Sequence, residues 1–281
     1  MNKVAVITGS SSGFGLLTTV ELALRGYRVV ATMRDLGRRT KLEEAAATAR
    51  VSDRIEVCCL DIAKVDTIAA AVNAIVRDHC RIDVLVNNAG FAMAGFAEDI
   101  VLAELREQFE TNFFGHVAVT KAVLPIMRAQ RSGHIIMVTS ITGRTAQPTL
   151  SSYSSSKFAL EGWSESLRME LRSLGIKVVL VEPGAYDTDI WSRNAKIGHR
   201  MFEHTSPNAA RGRRFRDFVQ NGGIKKRDPR EVSELIARIA ENPRPRLRYL
   251  AGTEARLQVA AKTLMPWRWY EKMVLKAMKI D

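Results

Sequence analysis

The chain has 281 residues, of which 46% are hydrophobic, enough for one substantial core and a single domain. It carries a formal net charge of +12, yet no uncharged run approaches the ~20 residues that span a bilayer. Three cysteines, Cys58, Cys59 and Cys80, are too few and wrongly spaced for a disulfide framework or a zinc site. They read as core thiols of a cytoplasmic protein that starts directly on its first strand, with no signal peptide and no metal.

The first element is an apolar run from Lys3 to Thr8, the signature of a buried parallel strand. Thr8-Gly9-Ser10-Ser11-Ser12-Gly13-Phe14-Gly15 follows, and its glycines let the backbone turn sharply and approach a ligand. A helix is expected from about Phe14 to Arg25. Its free amides and positive dipole end would face a pyrophosphate. Further strands are expected at 28–33, 56–60, 84–87, 134–139 and 177–181, with a short seventh near 248–250. Residues 68–76 have apolar side chains at helical spacing, a face made to pack on a sheet. This alternation predicts an α/β fold of the Rossmann type, a doubly wound parallel sheet of about seven strands with helices on both faces.

The second strand ends Met33-Arg34, where an acidic residue would hold a ribose 2′-hydroxyl and a cation would welcome a 2′-phosphate. Arg38, Arg39 and Lys41 stand close behind, and Ser12 can add a hydrogen bond. NADP(H) is therefore preferred, with NAD(H) left open by Asp35. Downstream, Tyr153 and Lys157 are four residues apart and share a helix face, with Ser140 thirteen residues upstream of Tyr153. A tyrosine has an ordinary pKa of about 10. A neighbouring ammonium is expected to lower it and make Tyr153 a general acid and base. Hydride transfer to a carbonyl builds negative charge on oxygen, which Ser140 and Tyr153 can meet with donors.

Thr8 to Gly15, Asn87-Asn88-Ala89-Gly90, the set Ser140, Tyr153 and Lys157, and Pro183-Gly184 stand in one order. In that order the chain resembles the short-chain dehydrogenase/reductase family over residues 3–192, and its hydroxysteroid-dehydrogenase-like branch in the stretch 31–35. The resemblance implies a cofactor cradle of Gly9, Ser11, Ser12, Gly13, Phe14, Gly15 and Arg34, with Asp61 on the adenine amino group and Ile62 beside it. Asn88, Ala89 and Gly90, together with Asn87, would end the fourth strand along the adenosine side. Asn112 would kink its helix and hold a relay water, Ser140 would bind the substrate oxygen, and Tyr153 would move the proton. Lys157 would hold the nicotinamide ribose, and Pro183, Gly184 and Thr188 would seat the carboxamide. Subunits of this family often pair through long helices, here about 98–131 and 154–174, so a homodimer or homotetramer is implied.

The charge is unevenly placed. Residues 1–192 hold 21 basic and 21 acidic side chains, and residues 193–281 hold 21 and 9. The densest runs are 211–216 and Lys225-Lys226-Arg227, inside a segment of about 185–228 that the resemblance makes a substrate loop and lid. Such a lid could attract an anionic substrate, sit near anionic lipid, or simply solubilise the surface. No reading motif accompanies the cations, so nucleic acid is not an expected partner. The C-terminal helix or tail, about 263–281, mixes Trp267, Trp269 and Tyr270 with cations. It reads first as a helix packed on the core or a partner subunit, and second as contact with a membrane surface. Phe91, Met93, Phe96, Ile141, Tyr186 and Trp191 are expected near the site, favouring a small apolar carbonyl or alcohol as substrate. Reduction of an acyl chain on a carrier is the alternative enzyme reading, and a non-catalytic NADP(H) sensor the alternative from another class.

Overall fold

The computed structural model describes residues 3–220 and 226–278. Lys225 of the basic lid and the last residues of the tail, 279–281, lie outside the described residues. In chain order the first elements are β1 (Val4–Thr8), α1 (Gly13–Leu24), β2 (Arg28–Met33), α2 (Thr40–Thr48), β3 (Ile55–Cys59) and α3 (Val65–His79). Then come β4 (Val84–Asn87), β5 (Ala92–Ala94), α4 (Leu102–Phe109), α5 (Gly115–Gln130), β6 (Gly133–Val138) and α6 (Ser151–Leu171). The last are β7 (Ile176–Pro183), β8 (Ala195–Ile197), α7 (Ala209–Gln220), α8 (Arg230–Glu241), β9 (Arg248–Ala251), α9 (Thr253–Leu264) and α10 (Trp267–Met278).

Seven strands form one sheet in the order β3-β2-β1-β4-β6-β7-β9, and every pairing is parallel. The strand alternation explains the two-sided core. Val4 and Val6 point to one side, where Ile68 and Val72 of α3 and Val119 and Val123 of α5 cover them. Ala5 and Ile7 point to the other, against Leu22 of α1 and Val232 and Ile236 of α8. Each such fully buried Val, Leu or Ile side chain contributes about 1.5–3 kcal/mol of transfer free energy. Strand order reverses between β1 and β4, so the carboxyl ends of these strands part and leave a crevice.

Three features depart from the sequence reading. The expected helix 98–131 starts at Leu102 and is interrupted by a π-helical turn, Glu110–Phe114, which divides it into α4 and α5. A small parallel pair, β5 with β8, was invisible in the pattern because three-residue strands carry no periodicity. Cys59 and Cys80 are exposed and Cys58 only half-buried, so the thiols are not core residues. The reason is position: β3 is the edge strand, and Cys80 caps α3 in a left-handed conformation at φ 60°.

Candidate active site

The crevice is a cavity of about 320 Å³ that runs along the carboxyl ends of the central strands. At one end the chain leaves β1 at Thr8, which is fully buried. The Thr8 Oγ1 accepts from the backbone N–H groups of Asn88 (2.9 Å) and Ala89 (3.0 Å), locking the β1 turn to the end of β4. Asn88 returns the brace, donating from Nδ2 to the carbonyls of Thr8 and Gly9 at 2.9 and 3.1 Å. Gly9 has φ +71°, and a Cβ there would stand 2.7 Å from Ala89 Cα, so both conformation and space exclude a side chain. Gly15 lies behind the turn, where a Cβ would meet Asn88 Nδ2 at 2.5 Å. It lets α1 pack closely and does not line the cavity.

Helix α1 opens toward the cavity with no side-chain cap from Ser12 and no acid in its first turn. Its first amides are thus free for an anion, and the dipole favours one. Arg34 and Arg38 line the same end. Asp35 does not: its carboxylate accepts from the Gly37 N–H at 2.9 Å and pairs with Arg38 at 3.4 Å. These residues fit a dinucleotide with a phosphate near the Arg34 end.

At the other end, the π turn places Asn112 in full burial. Its side-chain amide brackets Phe91, accepting from the N–H at 3.2 Å and donating to the carbonyl at 3.0 Å. That amide is therefore committed to the backbone after β4. Gln108, which the sequence reading passed over, does the same work beside it, with Phe91 and Met93 both at 3.0 Å. A glutamine one turn before an asparagine was the available signal. Asn87 also departs from expectation, for it turns into the core and donates to Thr120 Oγ1 at 2.9 Å.

Tyr153 and Lys157 lie on one face of α6, both buried. Ser140 caps the short turn Ile141–Gly143, its Oγ accepting from the Thr142 N–H at 3.1 Å. The Lys157 Nζ donates to the Val138 carbonyl at 3.0 Å and stands 5.8 Å from the centre of the Tyr153 ring. The expected lowering of the tyrosine pKa is overturned here. Burial pushes the Tyr153 phenol up to about 12, with the Ser140 hydroxyl pulling the other way. Burial likewise lowers the Lys157 ammonium to about 8, opposed by the charge of Glu161. At Tyr153 desolvation outweighs the Ser140 hydrogen bond, and at Lys157 it outweighs the charge of Glu161.

The expected site residues other than Gly15 and Asn87 line one cavity: Gly9, Ser11, Ser12, Gly13, Phe14, Arg34, Asp61, Ile62, Asn88, Ala89, Gly90, Asn112, Ser140, Tyr153, Lys157, Pro183, Gly184 and Thr188. Phe91, Tyr186 and Trp191 also line it, the indole edge-on to Tyr153 at 5.6 Å between centroids. Met93 and Ile141 are buried behind it, and Phe96 packs on the Met201–Phe215 cluster instead. The mouth holds polar residues that were not anticipated. Lys196 of β8 pairs with Glu107 of α4 and sits over the Phe91 ring, and Arg193 pairs with Asp189 at 3.1 Å. No residue of the run 211–216 reaches the cavity.

A family model described as short chain dehydrogenase matches residues 3–197. An uncharacterised oxidoreductase of Bacillus subtilis is 42% identical over 98% of this chain and 98% of its own length. Retinol dehydrogenase 8 of Bos taurus is 36% identical over 94% of this chain and 86% of its own. Among solved structures, a short-chain dehydrogenase from Streptomyces avermitilis superposes with a TM-score of 0.82 at 30% identity, covering 100% of this chain and 98% of that one. A metagenomic short-chain oxidoreductase in complex with NADP does so with a TM-score of 0.70 at 26% identity, covering 89% and 96%. With the strand order, the glycine turn and the Ser140, Tyr153 and Lys157 cluster already in place, these matches assign the chain to the short-chain dehydrogenase family of oxidoreductases.

Proposed function

We propose that the protein is an NADP(H)-dependent oxidoreductase that interconverts a carbonyl and an alcohol on an apolar substrate. One observation carries this reading: a single cavity has Arg34 and Arg38 at one end and Ser140, Tyr153 and Lys157 at the other. Support for the 2′-phosphate comes from the two guanidiniums and from Asp35, whose carboxylate is occupied by Gly37 and Arg38. The structural neighbour that holds NADP agrees with it.

In the reductive direction a nicotinamide held beside Lys157, Pro183, Gly184 and Thr188 would supply the hydride for the carbonyl carbon. Tyr153, protonated because burial raises its pKa, gives its phenolic proton to the carbonyl oxygen. Ser140 donates a hydrogen bond to the same oxygen and so stabilises the charge that builds there. Lys157, whose Nζ stands 5.8 Å from the centre of the Tyr153 ring, stabilises the phenolate left behind. A proton from solvent then restores the phenol, and carbonyl, hydride and proton sum to the alcohol. Oxidation runs the same steps backward and needs the phenolate at the outset.

Phe91, Tyr186, Ile190 and Trp191 on the cavity wall support an apolar substrate, as does a relative that is a retinol dehydrogenase. The run 211–216 gives no support to an acyl-carrier substrate, since it lies away from the cavity. The exposed Phe114, Phe158 and Met169 on the α4–α6 side support pairing of subunits through these helices. The testing experiment follows NADPH and NADH oxidation with retinoid, steroid, aliphatic and aromatic carbonyls. Turnover with NADPH that is lost in Tyr153→Phe supports the reading. Tight NADPH binding with no turnover on any carbonyl sinks it.

A further inference from the structure

Behind the cavity lies a cluster of charges that the reaction above does not use. Glu161 is one turn beyond Lys157 on α6 and is buried. Its Oε1 accepts from Thr139 Oγ1 at 2.7 Å, and its Oε2 lies 3.0 Å from Arg248 Nε of β9. Glu182 of β7 is fully buried, with Oε1 3.3 Å from that same Arg248 Nε and Oε2 3.7 Å from Arg144 Nη1. Neither Glu182 oxygen accepts a hydrogen bond. Two carboxylates thus converge on one guanidinium nitrogen inside the protein.

The cluster reaches every segment of the site. Thr139 immediately precedes Ser140, and Arg144 ends the turn that follows it. Glu182 immediately precedes Pro183 and Gly184. Glu161 is on the helix that carries Tyr153 and Lys157. The serine turn is pressed onto that helix at Gly143, where a Cβ would meet Glu161 Cγ at 3.0 Å and the Lys157 carbonyl oxygen at 3.1 Å. Structural ion pairs hold elements together too, but a well-satisfied pair would not leave both oxygens of Glu182 without donors.

We propose that Glu161 and Glu182, bridged by Arg248, form a buried carboxylate pair that positions the catalytic helix against the serine turn and supplies the negative charge that keeps Lys157 an ammonium. The inference rests on the oxidoreductase reading for its consequence, though not for its geometry. Other charges face the pair from each element around it: Glu165 on α6, Arg144 after the serine turn, and Lys262 on α9, whose Nζ donates to the Arg144 carbonyl. On the far side of Lys157, His116 of α5 is buried and held neutral, its pKa pushed down to about 3 by burial and then by Lys157. It therefore adds no competing charge. Burial, and then the charge of Glu161, raises the Glu182 carboxyl to about 7, so near neutrality the pair is still partly protonated. Above that point it gains a second negative charge, just where Lys157 begins to lose its proton.

The test is a titration of the full chain labelled with 13C at lysine Cε, the Lys157 signal being assigned by its loss in Lys157→Arg. In Glu161→Gln the Lys157 midpoint should fall by about one pH unit, a tenfold loss of proton affinity. In Glu182→Gln it should fall by less, with the difference confined to pH above 7. Wild-type protein should itself show a second, smaller inflection of the Lys157 signal near pH 7, which holds the idea to account even if a variant does not fold. The alkaline limb of NADPH-dependent carbonyl reduction should move to lower pH in step, with partial return in Glu161→Asp. A Lys157 midpoint unmoved in both variants, or a wild-type curve with one inflection only, overturns the proposal. Shifted titration in a protein that turns over no carbonyl leaves the pair standing and removes the oxidoreductase reading.

Discussion

Residues 1–192 carry equal numbers of acidic and basic side chains, while 193–281 carry the whole excess of positive charge. In the first region, the cations that face the cavity are few and differently employed. Arg34 and Arg38 sit at the dinucleotide end, and Lys157 is buried among the reacting groups. In the second, cations are many: Arg193 and Lys196 line the cavity mouth, each paired with a carboxylate, and several others are spent on local partners. Arg227 pairs with Glu231 and Glu254, Arg211 lies over the Phe96 ring and Arg216 over that of Phe202. Charge density in a sequence marks a surface. Charge placed at the mouth of a turn, or buried beside a titrating group, marks a function. The comparison gives four expectations, each able to blunt or sharpen it.

The largest concerns a group that is not a cation at all. Tyr153→Phe removes one hydroxyl from a buried ring and should lower kcat by about 10²–10⁴-fold with NADPH affinity nearly unchanged. Stopped-flow or steady-state rates together with cofactor fluorescence check both halves. A loss below tenfold would mean that another donor serves the carbonyl oxygen.

Next is Arg34→Ala, which should weaken NADPH binding by about 10–100-fold, the loss of one charge-assisted contact to phosphate. NADH binding should hardly change, because NADH lacks the 2′-phosphate. Equal weakening of both cofactors, read by isothermal titration, would show Arg34 to be a general phosphate or structural contact. That result would return the choice to NAD(H).

Third is pH. Activity that needs the Lys157 ammonium is present below its pKa and lost as pH rises through it. With burial placing that pKa at about 8, kcat/KM should decline above about pH 8 and reach one decade per pH unit. A profile flat to pH 10 would show that Lys157 stays charged despite its burial.

The parts that sequence made legible share a physical cause. Gly9, Gly13, Tyr153 and Lys157 are informative because few residue types can hold a left-handed turn or a proton-transfer site. The central strands β1, β2, β4, β6 and β7 were visible because strands buried on both faces must be continuously apolar. What sequence hid depended on distance in the chain. Thr8 bracing Asn88, and Glu161 meeting Glu182 at Arg248, are contacts between remote segments with no local pattern. Burial also decided against a local inference: an ammonium four residues away argued for a lowered tyrosine pKa, and desolvation reversed it.

The smallest expected effect is the sharpest check on the role of the basic third. Arg213 and Arg214 are exposed on α7, and no residue of 211–216 lines the cavity. Exposed charges are screened within about 8 Å at physiological salt, so they act weakly on a neutral substrate. The fourfold variant Arg211→Gln, Arg213→Gln, Arg214→Gln and Arg216→Gln should change kcat/KM on a neutral carbonyl by less than about twofold. Its rate should depend on salt no more steeply than that of the wild type. A steep salt dependence in the wild type that vanishes in the variant would show that the run steers an anionic substrate to the cavity from outside it. The acyl-carrier reading would then regain its support, and the contrast between dense and well-placed charge would fail for this protein.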